Sequence, residues 1–295
     1  MKIKKRYLAL TSLIFLLPFL AVVFLLAGHI GTDIDFTRKE RRGLVLHRTL
    51  LDLQRAAMLE AGGDASLHDK IAAVDNLFVS QDYANFPQAR QKWMAIKANL
   101  HHVSQESQGG KQEDMIFSSL PVLMRDVGTE SNLMLDPEIE PYYMADIVIN
   151  AIPQVTLHVL RVKLLAGEIL ADESKRLQLM PELFGYYGLQ KGFEEHYRYN
   201  VSVIEANDPE NVSRQVEFEV HALGKLQAFR ADVLESLKKR QVSFDASESL
   251  ASLAQAYGRF ADHLDWHLEQ REKSLRADML KAVGGALSAF IITIL

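Results

Sequence analysis

From Leu8 to Ala27 the chain runs for 20 residues without a charged side chain, directly after Lys2, Lys4, Lys5 and Arg6. About 20 apolar residues is the length an α-helix needs to cross a hydrocarbon core of roughly 30 Å. The basic cluster in front of the run sets the N-terminus in the cytoplasm. A cleaved signal peptide is the competing reading, and the small pair Ala27-Gly28 suits it. Length favours a span, because a signal h-region is usually only ~7–15 residues long.

The other end repeats the signal in a shorter form. Ala282 to Leu295 is 14 residues without charge, which reaches roughly 21 Å at about 1.5 Å per residue. Arg271-Glu272-Lys273 leads into it as a charged helix would lead into a membrane. The expectation is a second transmembrane helix cut off partway, and the alternative is a buried terminal helix. The implied layout is a cytoplasmic tail over 1–7, a first span over 8–27, an extracytoplasmic domain over 28–281 and the start of a second span over 282–295.

This division changes the meaning of the charge. All 38 acidic residues lie between Gly28 and Lys281 with 29 of the 33 basic ones, so those 254 residues carry −9 where the whole chain carries −5. Such a surface repels phosphate backbones at long range, and no nucleic-acid partner is expected. Cysteine is absent, which removes disulfides, thiolate zinc sites and cysteine nucleophiles. With 16 Gly and 8 Pro in 295 residues, a many-turned β architecture is disfavoured.

The middle reads as helix throughout. Breaks fall at Gly62-Gly63-Asp64, Gly109-Gly110, Leu135-Asp136-Pro137, Asn207-Asp208-Pro209 and Ser243-Phe244-Asp245, with a further helix start near Phe86, flanked by Asn85 and Pro87. Between them the apolar spacing is helical. Val216, Val220, Leu223, Leu226, Phe229, Val233 and Leu237 repeat at a mean near 3.5, the period of a bundle seam. Leu250, Leu253, Tyr257, Phe260, Leu264, Leu268, Leu275 and Met279 continue the pattern, and Leu44, Leu51 and Met58 repeat at seven. One four-helix bundle needs about 150–170 residues, fewer than are present. The expected fold is therefore all-α: a long antiparallel helical bundle of two stacked helical modules, flanked by transmembrane helices. Pro121, Pro153 and Pro181 are expected to end or kink helices in the membrane-distal module.

Motifs for catalysis are missing: there is no G-x-G-x-x-G, Walker loop, G-x-S-x-G or H-E-x-x-H. No catalytic residue, resident metal or cofactor is expected. His263 and His267 share a helix face beside Asp262, but solvent-facing histidines are the plainer reading. His101-His102 point to different faces. Sequons at Asn200-Val201-Ser202 and Asn211-Val212-Ser213 matter only in a eukaryotic secretory pathway. Arg41, Arg48 and Arg55 recur at seven, a stripe that either binds a carboxylate ligand or pairs with nearby acids on a solvated face.

The most informative stretch is Gly128 to Pro153. Asp136 is placed to cap a helix opening at Pro137. Tyr142, Asp146 and Asn150 then stack at i, i+4 and i+8 on a helix that is otherwise apolar, with Tyr143 three before Asp146. Polar groups there are either satisfied by one another or face a ligand.

This stretch resembles a segment of the extracytoplasmic regions of bacterial transmembrane receptors, of the form S-N-L-x-L-D-P-D-x-D-S-Y-Y-L-M-D followed by an apolar helix and L-P. Ser131, Asn132, Leu133, Leu135, Asp136, Pro137, Tyr142, Tyr143, Asp146 and Pro153 match it. Glu138 takes the second acidic position, and Pro141 and Met144-Ala145 depart from the pattern. Such regions occur in methyl-accepting chemotaxis proteins, sensor histidine kinases and receptor-linked diguanylate cyclases. Related sensors carry Q-x-R-G near the end of the first helix, where this chain has Gln54-Arg55-Ala56-Ala57.

The resemblance implies a sensory input portion of a receptor in the bacterial inner membrane, most of all a chemotaxis transducer, with residues 28–281 periplasmic. It further implies a homodimer that recognises a small-molecule ligand or a periplasmic binding protein, with any catalytic domain lying beyond residue 295. Asn132, Asp136, Tyr142, Tyr143, Asp146 and Arg55 are the candidate ligand-binding residues. The input domain of a histidine kinase or diguanylate cyclase is the second expectation. The third is a membrane-anchored structural or partner-binding bundle without a small ligand.

Overall fold

The computed structural model describes residues 2–59, 64–106, 109–207 and 209–294, and their side chains at 18–57, 67–98, 117–207 and 221–291. Among the described residues every regular element is helical, as expected of an all-α chain. The order is α1 (Lys2–Leu59), α2 (Asp64–Val79), α3 (Pro87–Glu106), α4 (Gly109–Glu130), α5 (Ile139–Asp146), a π-helical turn (Ile147–Ala151), α6 (Ile152–Ala171), α7 (Arg176–Asn207), α8 (Pro209–Lys239) and α9 (Ser247–Ile294). Of the expected breaks, that at Gly62-Gly63 lies outside the described residues, as do the side chains of His101, His102 and Asn211.

The chain divides into two compact units, Arg42–Asp265 and Met1–Arg41 with Trp266–Leu295. In the larger unit α3 pairs with α4, α6 with α7, and α5 and the π turn lie against α7. Of the seam residues expected from periodicity, Leu223, Leu226, Phe229, Val233 and Leu237 on α8 and Leu250, Leu253, Tyr257, Phe260, Leu264 and Leu268 on α9 are buried, Leu275 and Met279 are half-buried, and the side chains of Val216 and Val220 lie outside the described residues. On α1 the buried stripe Leu44, His47, Leu51, Gln54 alternates by three and four, so an apolar and a polar residue share each heptad.

Several joints are built from single residues. Pro87 opens α3, and the Glu130 carboxylate at the end of α4 accepts the backbone N–H groups of Gln88 at 3.0 Å and Ala89 at 2.9 Å. That long-range cap satisfies two of the four N–H groups a helix start leaves unpaired. Asp245 caps the start of α9 through the Ser247 N–H at 3.0 Å, and these hydrogen bonds hold its carboxyl below the usual carboxylate range. On α1, Gly43 lets the helix meet the 131–133 turn: a Cβ there would lie 2.1 Å from Ser131 Cβ.

The prolines do not end helices. Pro121 lies within α4, Pro181 is in the first turns of α7, and Pro153 follows the π turn. A proline at 153 lacks the N–H for an α-type bond and its ring crowds the carbonyl four residues back. The widened turn at 147–151, closed by the Ile152 N–H on the Ile147 carbonyl, absorbs that defect without a break.

In the smaller unit α1 and α9 are clasped by charge. Glu272, nearly buried, accepts from Arg38 Nε at 2.9 Å, Arg41 Nη1 at 3.4 Å and Arg276 Nη2 at 2.6 Å. Burial pushes the Glu272 carboxyl up, but the bonds from Arg276 and Arg38 outweigh it and hold it below the ordinary range. Glu40, fully buried, pairs with Arg271 at 3.1 Å. Gly28 on α1 and Ala282 on α9 each lie ten residues beyond the Arg38–Glu272 bond, about 15 Å along the helix at about 1.5 Å per residue.

Beyond that level both helices expose apolar side chains, Phe24 at 79 % and Leu25 at 70 % on α1, Leu287 at 58 % and Ile291 at 56 % on α9. By length and composition, two segments among the described residues are apolar enough to cross a membrane, Pro18–Ala57 and Ile139–Ala171. The second is mostly buried, as the core helix of a globular unit would be.

Candidate ligand site

The turn from Ser131 to Pro137 sets the direction of everything after it. Ser131 is buried and its hydroxyl donates to the Gly128 carbonyl at 3.1 Å. Asn132 takes the left-handed conformation at φ 69°, which asparagine tolerates better than most residues. Leu133 drops into the core, and the Asp136 side chain accepts the Glu138 N–H at 2.9 Å. The helix therefore opens at Ile139, two residues after the start expected at Pro137, because Asp136 closes its own turn first. Pro141 falls in the first turn of α5, where a missing N–H costs nothing. Asn132 and Asp136 thus shape the backbone, and Asp136 is buried.

Asp146, at the last position of α5, is the centre of a polar cluster. Its Oδ1 accepts Asn150 Nδ2 at 2.7 Å, and its Oδ2 accepts Asn200 Nδ2 and His196 Nε2, each at 2.6 Å. Asn150 belongs to the π turn, so the widened turn positions one of the three donors. The other two come from α7. The aspartate side chain is 15 % exposed beneath the half-exposed His196.

Asn200 is buried, and its Oδ1 is enclosed without a hydrogen-bond partner. Three phenols border the cluster. Tyr143 meets Tyr142 edge-on at 5.3 Å and Tyr199 at 6.0 Å between ring centres. A hydrogen bond with Tyr199 raises the Tyr143 phenol above its ordinary value. Tyr142 and Tyr199 are exposed at 39 % and 57 %.

The structure thus brings Tyr142, Tyr143 and Asp146 together and leaves Asn132 and Asp136 in the preceding turn. Arg55 stands apart: it is half-buried on α1, its Nε is enclosed without a partner, and it makes no hydrogen bond to the Asp146 cluster. The other two members of the arginine stripe pair with acids, Arg48 with Asp262 at 2.7 Å and Arg41 with Glu272 at 3.4 Å. Sequence reasoning missed His196, Tyr199 and Asn200. Their signal was the run His196-Tyr197-Arg198-Tyr199-Asn200, in which polar and aromatic residues at three and four spacing share one helix face. As a sequon, Asn200 is too buried to be modified in the folded chain.

Two further polar features lie in the same unit. A cavity of ≈ 310 Å³ between α1 and α9 is lined by Leu44, Val45, Arg48, Asp52, Asp262 and Asp265, among others. His47 is fully buried, bonded through Nδ1 to the Tyr257 hydroxyl at 3.0 Å, and burial pushes its pKa down to about 3.

No known protein family, curated protein or solved structure matches the chain.

Proposed function

We propose that the chain is the sensory input portion of a bacterial transmembrane signalling receptor, most of all a methyl-accepting chemotaxis transducer. Its first and last helices cross the inner membrane and the helical part between them faces the periplasm as an antiparallel bundle. The observation that carries the membrane part is the pair of exposed apolar ends. Counted from the Arg38–Glu272 bond, ten residues lead to Gly28 on α1 and ten to Ala282 on α9, and beyond these residues the two helices expose Phe, Leu, Val and Ile. Apolar surface of this kind needs a partner or a lipid phase.

The sensory part rests on the Asp146 cluster and on the resemblance of residues 128–153 to receptor segments. A small solute bound at α5 and α7 shifts the balance between two helix packings, by no more than its differential affinity for them. Coupling of ~1–3 kcal/mol is typical. Within the smaller unit the charge clasp ties α1 to α9, the two helices that cross the membrane in this reading.

The test is a thermal-shift screen of the full chain in lipid nanodiscs against organic acids, amino acids and amines. A ligand at about 100 times its dissociation constant adds roughly 2.7 kcal/mol of apparent stability. Silence across all three classes contradicts direct sensing and favours a binding-protein partner or a purely structural bundle.

A further inference from the structure

Three carboxylates with little exposure, Glu40, Glu194 and Glu272, are held by guanidinium groups. Glu272 has Arg38, Arg41 and Arg276, Glu40 has Arg271, and Glu194 has Arg230. Asp146 is buried to a similar degree, but its partners are two carboxamides and one imidazole. Among the described residues no lysine or arginine bonds to it. A partly desolvated carboxylate without a fixed cation is an attractor for one. Its capacity is not exhausted either, since a carboxylate offers about four lone-pair sites and three are used.

Two neighbouring features say what kind of cation fits. Asn200, buried beside the aspartate, holds an acceptor Oδ1 with no donor, and leaving such a group unmet is costly. Tyr142, Tyr143 and Tyr199 present rings at the rim, two of them exposed. Ring faces attract organic cations and apolar stems together.

We infer that the Asp146 cluster is a site for primary organic ammonium ions, with the charge held by Asp146, an N–H given to Asn200 Oδ1 and the organic part laid on the tyrosines. This rests on the sensory reading above and names its ligand class. The donors of the cluster, Asn150, Asn200 and His196, are already turned to Asp146 itself, so a free amine is favoured over the corresponding amino acid. Because Asn200 Oδ1 is enclosed in the ligand-free packing, the ammonium gains that bond only when the seam between α5 and α7 opens. That is the differential affinity a sensor requires.

The experiment is calorimetric titration of the full chain in nanodiscs with tyramine, tyrosine and 4-hydroxyphenylacetate, which share one ring and differ in charge. Tyramine is expected to bind saturably and at least ten times more tightly than either acid. Asp146→Asn, which keeps the shape of the side chain, is expected to weaken tyramine at least tenfold, and Tyr199→Leu about fivefold. Tyr199 is exposed, so its variant keeps the test decisive should Asp146→Asn fail to fold. Tighter binding of tyrosine or the acid, weakened by Tyr199→Leu, overturns the ammonium assignment while leaving a sensory site in place. Unchanged tyramine affinity in the folded Asp146→Asn chain overturns it as well. If no compound of any charge binds, the sensory reading of this cluster falls with it.

Discussion

At φ 69° Asn132 occupies backbone that costs most L-residues about 1–2 kcal/mol. Asn132→Gly is expected to leave stability unchanged or slightly raised, whereas Asn132→Val is expected to lose ~1–2 kcal/mol by urea unfolding. Equal losses in both would mean the side chain matters and the conformation does not. His47 and His158 offer a pH test. Burial lowers their pKa values to about 3 and about 4, so each is neutral when folded and takes up a proton on unfolding below about pH 6.5. Their contribution is complete above that pH. It is lost as pH falls toward the folded values, at up to about 1.4 kcal/mol per pH unit for each histidine. Unfolding at pH 7.5 and pH 5 measures this, and His47→Gln is expected to shrink the difference. A difference of the same size would show that His47 is hydrated.

Much at this scale was legible. Asp146 on a helix face follows from residue type and spacing, whereas Asp136, read as the cap of a helix opening at Pro137, closes a turn ahead of a helix that opens at Ile139. The donors from α7 were not, because they lie 50 and 54 residues away in sequence and local spacing carries no information about which helices pair.

At the scale of elements, period alone located the helices, since an apolar repeat near 3.5 needs only local sequence. Their ends were harder. Prolines at 121, 153 and 181 read as kinks or ends, and of the two no end occurs: α4 and α7 continue through two of them and the π turn absorbs the third. A proline removes one hydrogen bond and adds one clash, losses that packing of a long buried helix can outweigh. The α3 start illustrates the same limit. Pro87 marked it, but its principal cap, Glu130, comes from another helix. Glu130→Ala is expected to cost about 1 kcal/mol, seen in the urea midpoint, with Glu130→Gln losing less. No change in either variant would mean that water serves the two N–H groups as well.

For the whole molecule, the buried Glu40–Arg271 pair gives a stability test in the smaller unit. Removing one partner leaves the other charge buried, so Glu40→Ala is expected to cost ~3 kcal/mol or more, while the double change Glu40→Leu with Arg271→Leu recovers most of it. A double variant no better than the single one would mean that packing, not charge, is lost. The apolar ends were legible from composition. Their equal distance along the chain from the Arg38–Glu272 bond was not, because that bond joins residues 234 apart in sequence. The absence of cysteine makes the membrane claim directly testable. Single cysteines at Lys4, Phe24, Asp33, Asp278 and Leu287 are exposed in intact spheroplasts to a membrane-impermeant maleimide. Labelling is expected at 33 and 278, none at 24 and 287, and at 4 only after lysis. Labelling of 4 from outside, or of 24 and 287 as readily as 33, would contradict the membrane claim.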